Sequence, residues 1–160
     1  MPVPATTIRE ATLEDYPRLH DVLTSTLHVH AQDQPDVFRQ DGTPPPLREV
    51  VAALLEEGRG VVFIAENGGA VVGFLTIRRV QADQPFQVPR RHGAIDHVGV
   101  APAWRRRGIG RALLAKAHDW ARAEGLSRVQ LNVWEFNREA IALYESLGYT
   151  TFSRNMWVDL

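Results

Sequence analysis

VAPAWRRRGIGRALL, from Val100 to Leu114, joins a short apolar run to a block of arginines, two glycines and an apolar helical pattern. We interpret it as a strand that leads into a loop and then into a helix. Gly108 and Gly110 allow the backbone to approach a ligand closely, and a helix beginning here leaves its first N–H groups unpaired. Because the helix dipole adds partial positive charge at the same end, the stretch favours a ligand with several phosphates. Full positive charges beside the loop come from Arg105, Arg106, Arg107 and Arg111.

The loop matches neither the Walker pattern nor the dinucleotide fingerprint GxGxxG. It does match V-x-P followed by R-x-x-G-x-G, with Val100, Pro102 and Arg105 at the first three defined positions. A second motif, LNVWEFNREAIALYESLGY, covers residues 131–149 and has the order strand, Asn-x-x-Ala helix, tyrosine, Leu-Gly-Tyr. Both motifs, in this order, resemble the acetyl-CoA-dependent GNAT family of N-acetyltransferases.

This resemblance implies an α+β, GNAT-like acyl-CoA N-acyltransferase fold in a single domain over residues 1–160. In such a fold a mixed, mostly antiparallel sheet has splayed central strands and is flanked by helices. The pantetheine arm of acetyl-CoA, the co-substrate, lies in the gap between the splayed strands and pairs with one of them. The residues that the resemblance places at the coenzyme are Val98, Gly99, Val100, Arg105, Arg106, Arg107, Gly108, Ile109, Gly110, Arg111, Asn137 and Tyr144.

Local patterns predict the remaining elements. A short strand before Thr12 leads into a first helix, and Pro17 places the regular helix a residue or two after Thr12. From His28 the chain is expected to be irregular. Asn67-Gly68 predicts a tight hairpin turn between two strands, and Gly125 a left-handed helix stop. The other predicted ranges are a loop to residue 46, a helix around 47–55, strands 61–65 and 70–77, a loop 79–93, strands 94–100 and 129–134, helices 109–124 and 137–147, and a closing strand pair 149–153 and 156–160.

Composition is that of a small globular protein. The 160 residues are 44% hydrophobic, carry a formal net charge of −1 and include no cysteine, which excludes disulfides and an acyl-cysteine intermediate. The near-neutral charge argues against a nucleic-acid partner, and no apolar run has the roughly 20 residues of a membrane span. We therefore expect a cytoplasmic protein that binds neither nucleic acid nor a membrane. No metal site is predicted, because nothing fixes the geometry of His28, His30 and Asp33.

Acyl transfer to an amine requires an acid for the departing thiolate and donors for the developing oxyanion. Tyr144 matches the tyrosine that serves as this acid in the family, and a phenol of pKa about 10 can protonate a thiolate. Its alternative role is that of a core aromatic on the inner face of its helix. The oxyanion donor is expected to be a backbone N–H between Val98 and Val100.

The general base has two main candidates, Asp96 and His97, of which strand alternation turns one toward the acceptor. Asp96 is preferred because related enzymes commonly carry an acidic residue there, whereas the ordinary pKa of His97 suits a base. Glu135 is a weaker candidate. Ribosomal-protein alanine acetyltransferases are similar around LYESLG, yet they have a glutamate base where this chain has Asn132.

The predicted function is transfer of the acetyl group of acetyl-CoA to a primary amine by direct attack in a ternary complex. One alternative is an acyl-CoA binding or sensing module without turnover, and another is a nucleic-acid binder that uses the arginine block. The acceptor is a small-molecule or peptide amine, such as a protein lysine or N-terminus, an aminoglycoside, a polyamine or an amino acid derivative. We expect residues 28–38 to line its site, with Asp33 or Asp36 attracting the cation. The sequence leaves the oligomeric state open, with a homodimer as one option.

Overall fold

The computed structural model describes residues 5–39, 47–56 and 58–160. Single 3-10 turns precede two of the helices, over Leu13–Asp15 and Pro102–Trp104. The strands are β1 (Thr7–Glu10), β2 (Gly60–Asn67), β3 (Ala70–Ala82), β4 (Arg90–Val100) and β5 (Val129–Leu131). The helices are α1 (Tyr16–Asp33), α2 (Leu47–Glu56), α3 (Ile109–Ala123) and α4 (Arg138–Ser146).

The described strands form one sheet in the order β1-β2-β3-β4-β5. Neighbours are antiparallel except β4 and β5, which are parallel and are joined through α3. A parallel pair needs such a crossover, whereas the antiparallel pair β2 and β3 needs only a tight turn. The predicted α+β fold with a mixed, mostly antiparallel sheet is therefore confirmed.

Strands β4 and β5 separate soon after they meet. Their pairing covers only Gly93–Ile95 against Val129–Leu131, although β4 continues to Val100. One side of the last part of β4 is consequently left without a strand partner in the described chain. This is the predicted splay, and it opens a gap between the two strands where a ligand can pair with backbone groups.

Apolar side chains cover both faces of the sheet. On one face Leu113, Leu114 and Ala117 of α3 are fully buried against β2, β3 and β4. On the other face Leu19 and Leu23 of α1 pack with residues of α2, β2 and β3. The recurrence of these positions every three or four residues is the amphipathic pattern that predicted the helices.

The β2–β3 hairpin is confirmed with one shift in its turn. Asn67 pairs with Ala70 as the last pair of the ladder, so the two central turn residues are Gly68 and Gly69. Their φ angles are 56° and 82°, which is the left-handed region that a tight hairpin requires. Gly69, rather than Asn67, therefore supplies the second positive φ angle.

The predicted loop over residues 79–93 is wrong at both ends. Strand β3 continues to Ala82 and β4 begins at Arg90, with Ala82 paired to Arg90. Pro85 and Pro89 were expected to break the sheet, but both lie in the short tip between the strands, where the ladder needs no N–H donor from them. The result is a long hairpin.

Helix α1 is longer than predicted. It begins at Tyr16, with Pro17 in its first turn, which confirms the late start. The expected irregular segment from His28 is wrong up to Asp33, because these polar residues include no helix breaker and remain helical. The helix ends at Asp33, and Gln34 is its non-helical C-cap, because the ring of Pro35 disfavours the helical conformation of the preceding residue. Residues 34–39 form neither helix nor strand, as predicted, and the last part of that loop, residues 40–46, lies outside the described residues.

The C-terminal predictions are wrong in part. Helix α3 does end near Glu124, with Gly125 at a φ of 69°, but β5 stops at Leu131 rather than Trp134 because the chain turns away from β4. The expected strand pair over 149–153 and 156–160 is not formed, and these residues carry no regular structure. A three-residue β5 presents too short a ladder to hold further strands on its own.

Candidate functional site

A cleft of about 630 Å³ lies where the splayed part of β4 faces the N-terminal ends of α3 and α4. Every residue that was predicted to contact the coenzyme lines this cleft except Arg107. The guanidinium carbon of Arg107 instead lies 4.8 Å from the ring centroid of Trp104, in a cation–π contact. Folding thus brings together two motifs that are separated by a strand and a helix in the sequence.

The loop before α3 is shaped by two left-handed residues. Gly108 has a φ of 80° and forms the N-cap of α3, and Arg106 has a φ of 63°. A left-handed arginine is uncommon and costs backbone energy, so its conformation is one that the surrounding loop enforces. Gly110 serves packing as well as ligand access, since a Cβ there would lie 3.3 Å from Leu143 of α4.

The N-terminus of α3 is an anion site by its geometry. No side chain caps it, and Ala112 is the first residue whose N–H bonds back to Gly108, at 3.0 Å. The amides of Ile109, Gly110 and Arg111 precede that first intrahelical bond and point toward the cleft. With the positive end of the helix dipole, they form a site for phosphate oxygens.

Arginines surround this N-terminus but are not equivalent. Arg105 donates from Nε to the carbonyl of Val100 at 3.2 Å, which fixes the loop to the end of β4. Arg111 donates to Ser146 Oγ at 2.7 Å, which ties α3 to α4. Both side chains are exposed and line the cleft. Each arginine therefore stabilises the local structure and also places a positive charge at the cleft.

Backbone groups of β4 face the gap. The N–H of Ala101 donates to Val72 and that of His97 donates to Thr76 Oγ1, so odd-numbered amides here point to β3. Alternation in an antiparallel ladder then turns the amides of Val98 and Val100 away from β3. They are positioned as donors to an extended ligand or to an oxyanion.

Helix α4 contributes Asn137 and Tyr144. Asn137 accepts a hydrogen bond from the N–H of Ala140 at 3.2 Å, which confirms its predicted cap role, while its contact with the coenzyme stays a prediction. Tyr144 lines the cleft, and burial raises the pKa of its phenol above the ordinary value of 10.0. A phenol with a raised pKa keeps its proton at neutral pH and remains able to donate it.

The two candidate bases do not line this cleft. Asp96 sits at a bulge in β4, and its carboxylate accepts from Arg78 Nε at 2.6 Å and from Arg78 Nη2 at 3.2 Å. It faces a second, smaller cleft of about 270 Å³ that also holds Asn132. The sequence could not show this, because the bulge shifts the alternation on which the prediction depended.

His97 does not line the main cleft, but it lies two residues from Gly99, which does. It shares a face of β4 with Gly99, whose missing Cβ would lie 2.5 Å from Thr26 of α1, and Thr26 and Gly99 both line the cleft. The Nδ1 atom of His97 is 3.3 Å from Thr76 Oγ1. Burial lowers the pKa of this imidazole below its ordinary 6.5, although Asp96 opposes the shift, so the ring is neutral at pH 7.

The end of the cleft formed by α1 was predicted only in part from the sequence. Thr26, His30 and Asp33 of α1 line it, whereas Asp36 does not. Their spacing of four and three residues places them on one face of α1, a signal that the sequence contained but that the expected helix end at His28 concealed. Burial lowers the pKa of His30, and its buried Nδ1 has no hydrogen-bond partner in the described structure.

Aromatic rings form a wall beside this end. The ring of His30 stacks on Phe38 at a centroid distance of 5.6 Å and meets Phe136 edge-on at 5.8 Å. Trp134 lies 5.3 Å from Phe38 and 6.1 Å from Phe136. The wall therefore joins α1 to the segment before α4, a long-range contact that no local pattern reports.

Among the described residues, no group of three or more histidine, cysteine, aspartate or glutamate side chains could hold a metal ion. No described helix combines the length and apolarity that a membrane span needs.

Residues 13–149 match the Acetyltransferase (GNAT) family, and the chain belongs to that family. A mycothiol acetyltransferase from Thermobispora bispora is 39% identical over 57% of this chain and 30% of its own length. The N-alpha-acetyltransferase RimI of Mycobacterium tuberculosis is 39% identical over 53% of this chain and 49% of its own length. The matched part thus spans less than half of either relative.

Solved structures agree with the fold. A mutant of the BH1408 protein from Bacillus halodurans superposes with a TM-score of 0.89 at 26% identity, covering 96% of this chain and 99% of that one. An aminoglycoside N-acetyltransferase in complex with CoA has a TM-score of 0.68 at 16% identity, covering 98% and 95% of the two chains. At this low identity, the similarity to the aminoglycoside N-acetyltransferase concerns the fold alone.

Proposed function

We propose that this chain is an acetyl-CoA-dependent N-acetyltransferase that transfers acetyl directly to an amine in a ternary complex. The observation that carries the proposal is one continuous cleft. It has unpaired helix amides and arginines at one end, free strand amides and a protonated tyrosine in the middle, and an acidic, aromatic-walled end opposite. Family membership supports the same chemistry.

The proposed reaction begins with the diphosphate of acetyl-CoA at the N-terminus of α3 and the pantetheine arm along Val98 and Val100. One of these backbone amides would donate to the thioester oxygen as negative charge develops there. The amine nitrogen attacks the carbonyl carbon, the carbon–sulfur bond breaks, and Tyr144 gives its proton to the leaving thiolate. Direct attack suits a chain that has no cysteine to carry the acetyl group.

A panel of amines, assayed by release of free CoA thiol, tests the proposal. The panel includes an aminoglycoside, a polyamine, an amino acid derivative, a lysine peptide and a peptide with a free N-terminus. We expect thiol release above hydrolysis with at least one class. CoA binding without turnover on any class would instead indicate the non-catalytic acyl-CoA module.

The names of the relatives indicate different acceptors, and the side chains that line the cleft favour one class of acceptor amine. One relative is named for mycothiol and another for N-alpha-amines, and a structural neighbour was solved with sisomicin. In this chain Asp33 offers a negative charge and the ring wall of His30 and Phe136 offers π faces, both of which attract a cationic amine. We therefore place a positively charged amine with an apolar or aromatic body at this end.

Replacement of Asp33 by Asn should raise KM for a cationic acceptor roughly 5-fold and leave KM for acetyl-CoA unchanged. The reason is the loss of about 1 kcal/mol of attraction between charges near a protein surface. Steady-state kinetics at low ionic strength measure both constants. Asp36→Asn is the matched control, since Asp36 is also exposed but does not line the cleft. Equal effects of the two substitutions would refute this acceptor site.

His97 is proposed as the general base, acting through a water molecule. This role predicts that kcat/KM falls at low pH, which gives the pH profile an acid limb. A base works only when unprotonated, and burial lowers the pKa of His97 below 6.5. Activity should therefore be retained at neutral pH and fall only at a pH below 6.5, where the imidazole becomes protonated. His97→Gln should remove this limb and reduce the plateau rate by about 10²-fold.

Asp96→Asn is the comparison for this experiment, because Asp96 is the other candidate and neighbours His97 in the chain. If His97 is the base, Asp96→Asn keeps the acid limb and most of the plateau rate. If Asp96→Asn abolishes the limb while His97→Gln preserves it, the assignment is reversed.

A further inference from the structure

The second cleft, of about 270 Å³, takes no part in the proposed reaction. Its lining is polar, with Arg78 from β3, His92 and Asp96 from β4, and Gln130 and Asn132 at β5. Asp96 is already occupied, because its carboxylate accepts hydrogen bonds from Arg78. The other polar side chains carry N–H groups, so the lining suits a ligand that accepts hydrogen bonds.

The imidazole of His92 is a polar group of this cleft that the chain leaves without a partner. Only 7% of the surface of His92 is exposed, and the residue lines the cleft. Among the described residues, its ring forms neither a hydrogen bond nor an ion pair. Because a buried polar group without a partner costs free energy, a ligand that accepts a hydrogen bond from this ring removes that cost.

The charges around His92 favour an anion. Burial lowers the pKa of His92 below 6.5, and the positive charges of Arg90, Arg128 and Arg78 lower it further. Asp96 is the one acidic residue in the described lining of the cleft, and its charge is paired with that of Arg78. The field at the ring therefore opposes a further positive charge and attracts a negative one.

The second cleft lies close to the α1 end of the main cleft. Phe74 of β3 packs in the cluster that α1 and α2 form with the sheet. Arg78 lies four residues further along β3 and so on the same face, because side chains alternate along a strand. On β4, Asp96 of the second cleft precedes Val98 of the main cleft by two residues, or about 7 Å. One small acceptor can therefore contact both clefts.

We propose that the second cleft binds a carboxylate of the acceptor itself, so that the acceptor is a short amino acid or a derivative that keeps its carboxylate. The inference rests on the proposed function, because it assigns the acceptor of that reaction. The amine lies at the thioester, and the carboxylate accepts hydrogen bonds from His92 and from the lining amides. The bonds formed and broken remain those of the proposed reaction.

Thiol-release kinetics with matched acceptors test the proposal. L-phenylalanine and its primary amide share the amine and the aromatic body, but only the acid carries a carboxylate. We expect the acid-to-amide ratio of kcat/KM to fall about 10-fold in His92→Leu, which removes a hydrogen bond to a charged group. Asn132→Ala repeats the test at an exposed lining residue, where no folding defect is expected.

Arg90→Gln and Arg91→Gln form a matched pair for the charge. The two residues are neighbours on β4 and point to opposite faces, and the charge of Arg90 acts on His92. We expect Arg90→Gln to lower the acid-to-amide ratio and Arg91→Gln to leave it unchanged. A ratio that is the same in the unaltered protein, His92→Leu and Arg90→Gln overturns the proposal, provided that the variants keep native circular dichroism.

A binding measurement separates this inference from the proposed function. N-acetyl-L-phenylalanine carries the carboxylate but has no reactive amine, and N-acetyl-L-phenylalaninamide has neither group. In nuclear magnetic resonance spectra, the ring signals of His92 are assigned by their loss in His92→Leu. We expect the acid, but not the amide, to shift these signals saturably and to raise the pKa of His92, because a bound anion stabilises the imidazolium.

The two failures are then distinct. Turnover of amines without any carboxylate-dependent shift of His92 refutes the inference and leaves the proposed function standing. If no amine is acetylated, the proposed function fails. The His92 signals then decide by themselves whether the second cleft binds a carboxylate, and equal shifts with acid and amide count against it.

Discussion

Replacement of Tyr144 by Phe should lower kcat about 10²- to 10⁴-fold while the Kd for CoA stays within a factor of two. The substitution removes one hydroxyl from a ring that lines the cleft and packs against the core. The thiolate then leaves without a proton donor, while the ring retains its packing. Thiol release measures kcat, and calorimetry measures the affinity for CoA.

Tyr149→Phe is the matched control for this prediction. Its ring lies 5.7 Å from that of Tyr144, and burial raises the pKa of its hydroxyl to about 12. The hydroxyl is bonded to His118, and Tyr149 does not line the cleft. We expect near-normal kcat with a small loss of stability. If Tyr144→Phe keeps full activity, another group protonates the thiolate and the assignment is wrong.

Replacement of Gly108 by Asp should weaken CoA binding about 100-fold or more relative to Gly108→Asn. A carboxylate about 5 Å from a phosphate costs about 3 kcal/mol at an effective dielectric constant of 20, which corresponds to that ratio. Both side chains tolerate a positive φ better than other residues do, and the space around a Cβ at this position is open. Isothermal titration calorimetry measures the ratio.

The comparison of Asp with Asn removes backbone strain from the result, because the two side chains have nearly the same shape. Gly108→Asn is itself expected to cost less than 10-fold, mainly through the left-handed φ of 80°. Equal affinities for the two variants would mean that the phosphates do not lie at the N-terminus of α3.

The half of the cleft proposed for the coenzyme was predictable from sequence because the determinants of its local structure lie close together in the chain. The left-handed Gly108, the uncapped start of α3 and the Asn137 cap each depend on a few neighbouring residues. The hairpin and the stop at Gly125 were predictable for the same reason. The resemblance of the two motifs to the family then supplied the expectation that they meet at one cleft.

The remaining features depend on contacts that local patterns do not report. Asp96 was preferred as base from its position, but a bulge turns it toward Arg78 and away from the main cleft. The end proposed for the acceptor depends on α1 continuing to Asp33, and the helical spacing of Thr26, His30 and Asp33 was overlooked because the helix was expected to end near His28. The C-terminal strand pair was predicted to close the sheet, and the structure does not form it.

Calorimetric titration of the folded protein with CoA, and in parallel with pantetheine, tests the central claim most directly. Pantetheine carries the thiol arm but has neither the diphosphate nor the nucleotide. If the amides of Ile109, Gly110 and Arg111 hold the diphosphate, CoA binds with measurable heat and pantetheine binds at least about 100-fold more weakly. Absence of heat with CoA, or equal affinity for the two compounds, would contradict the account.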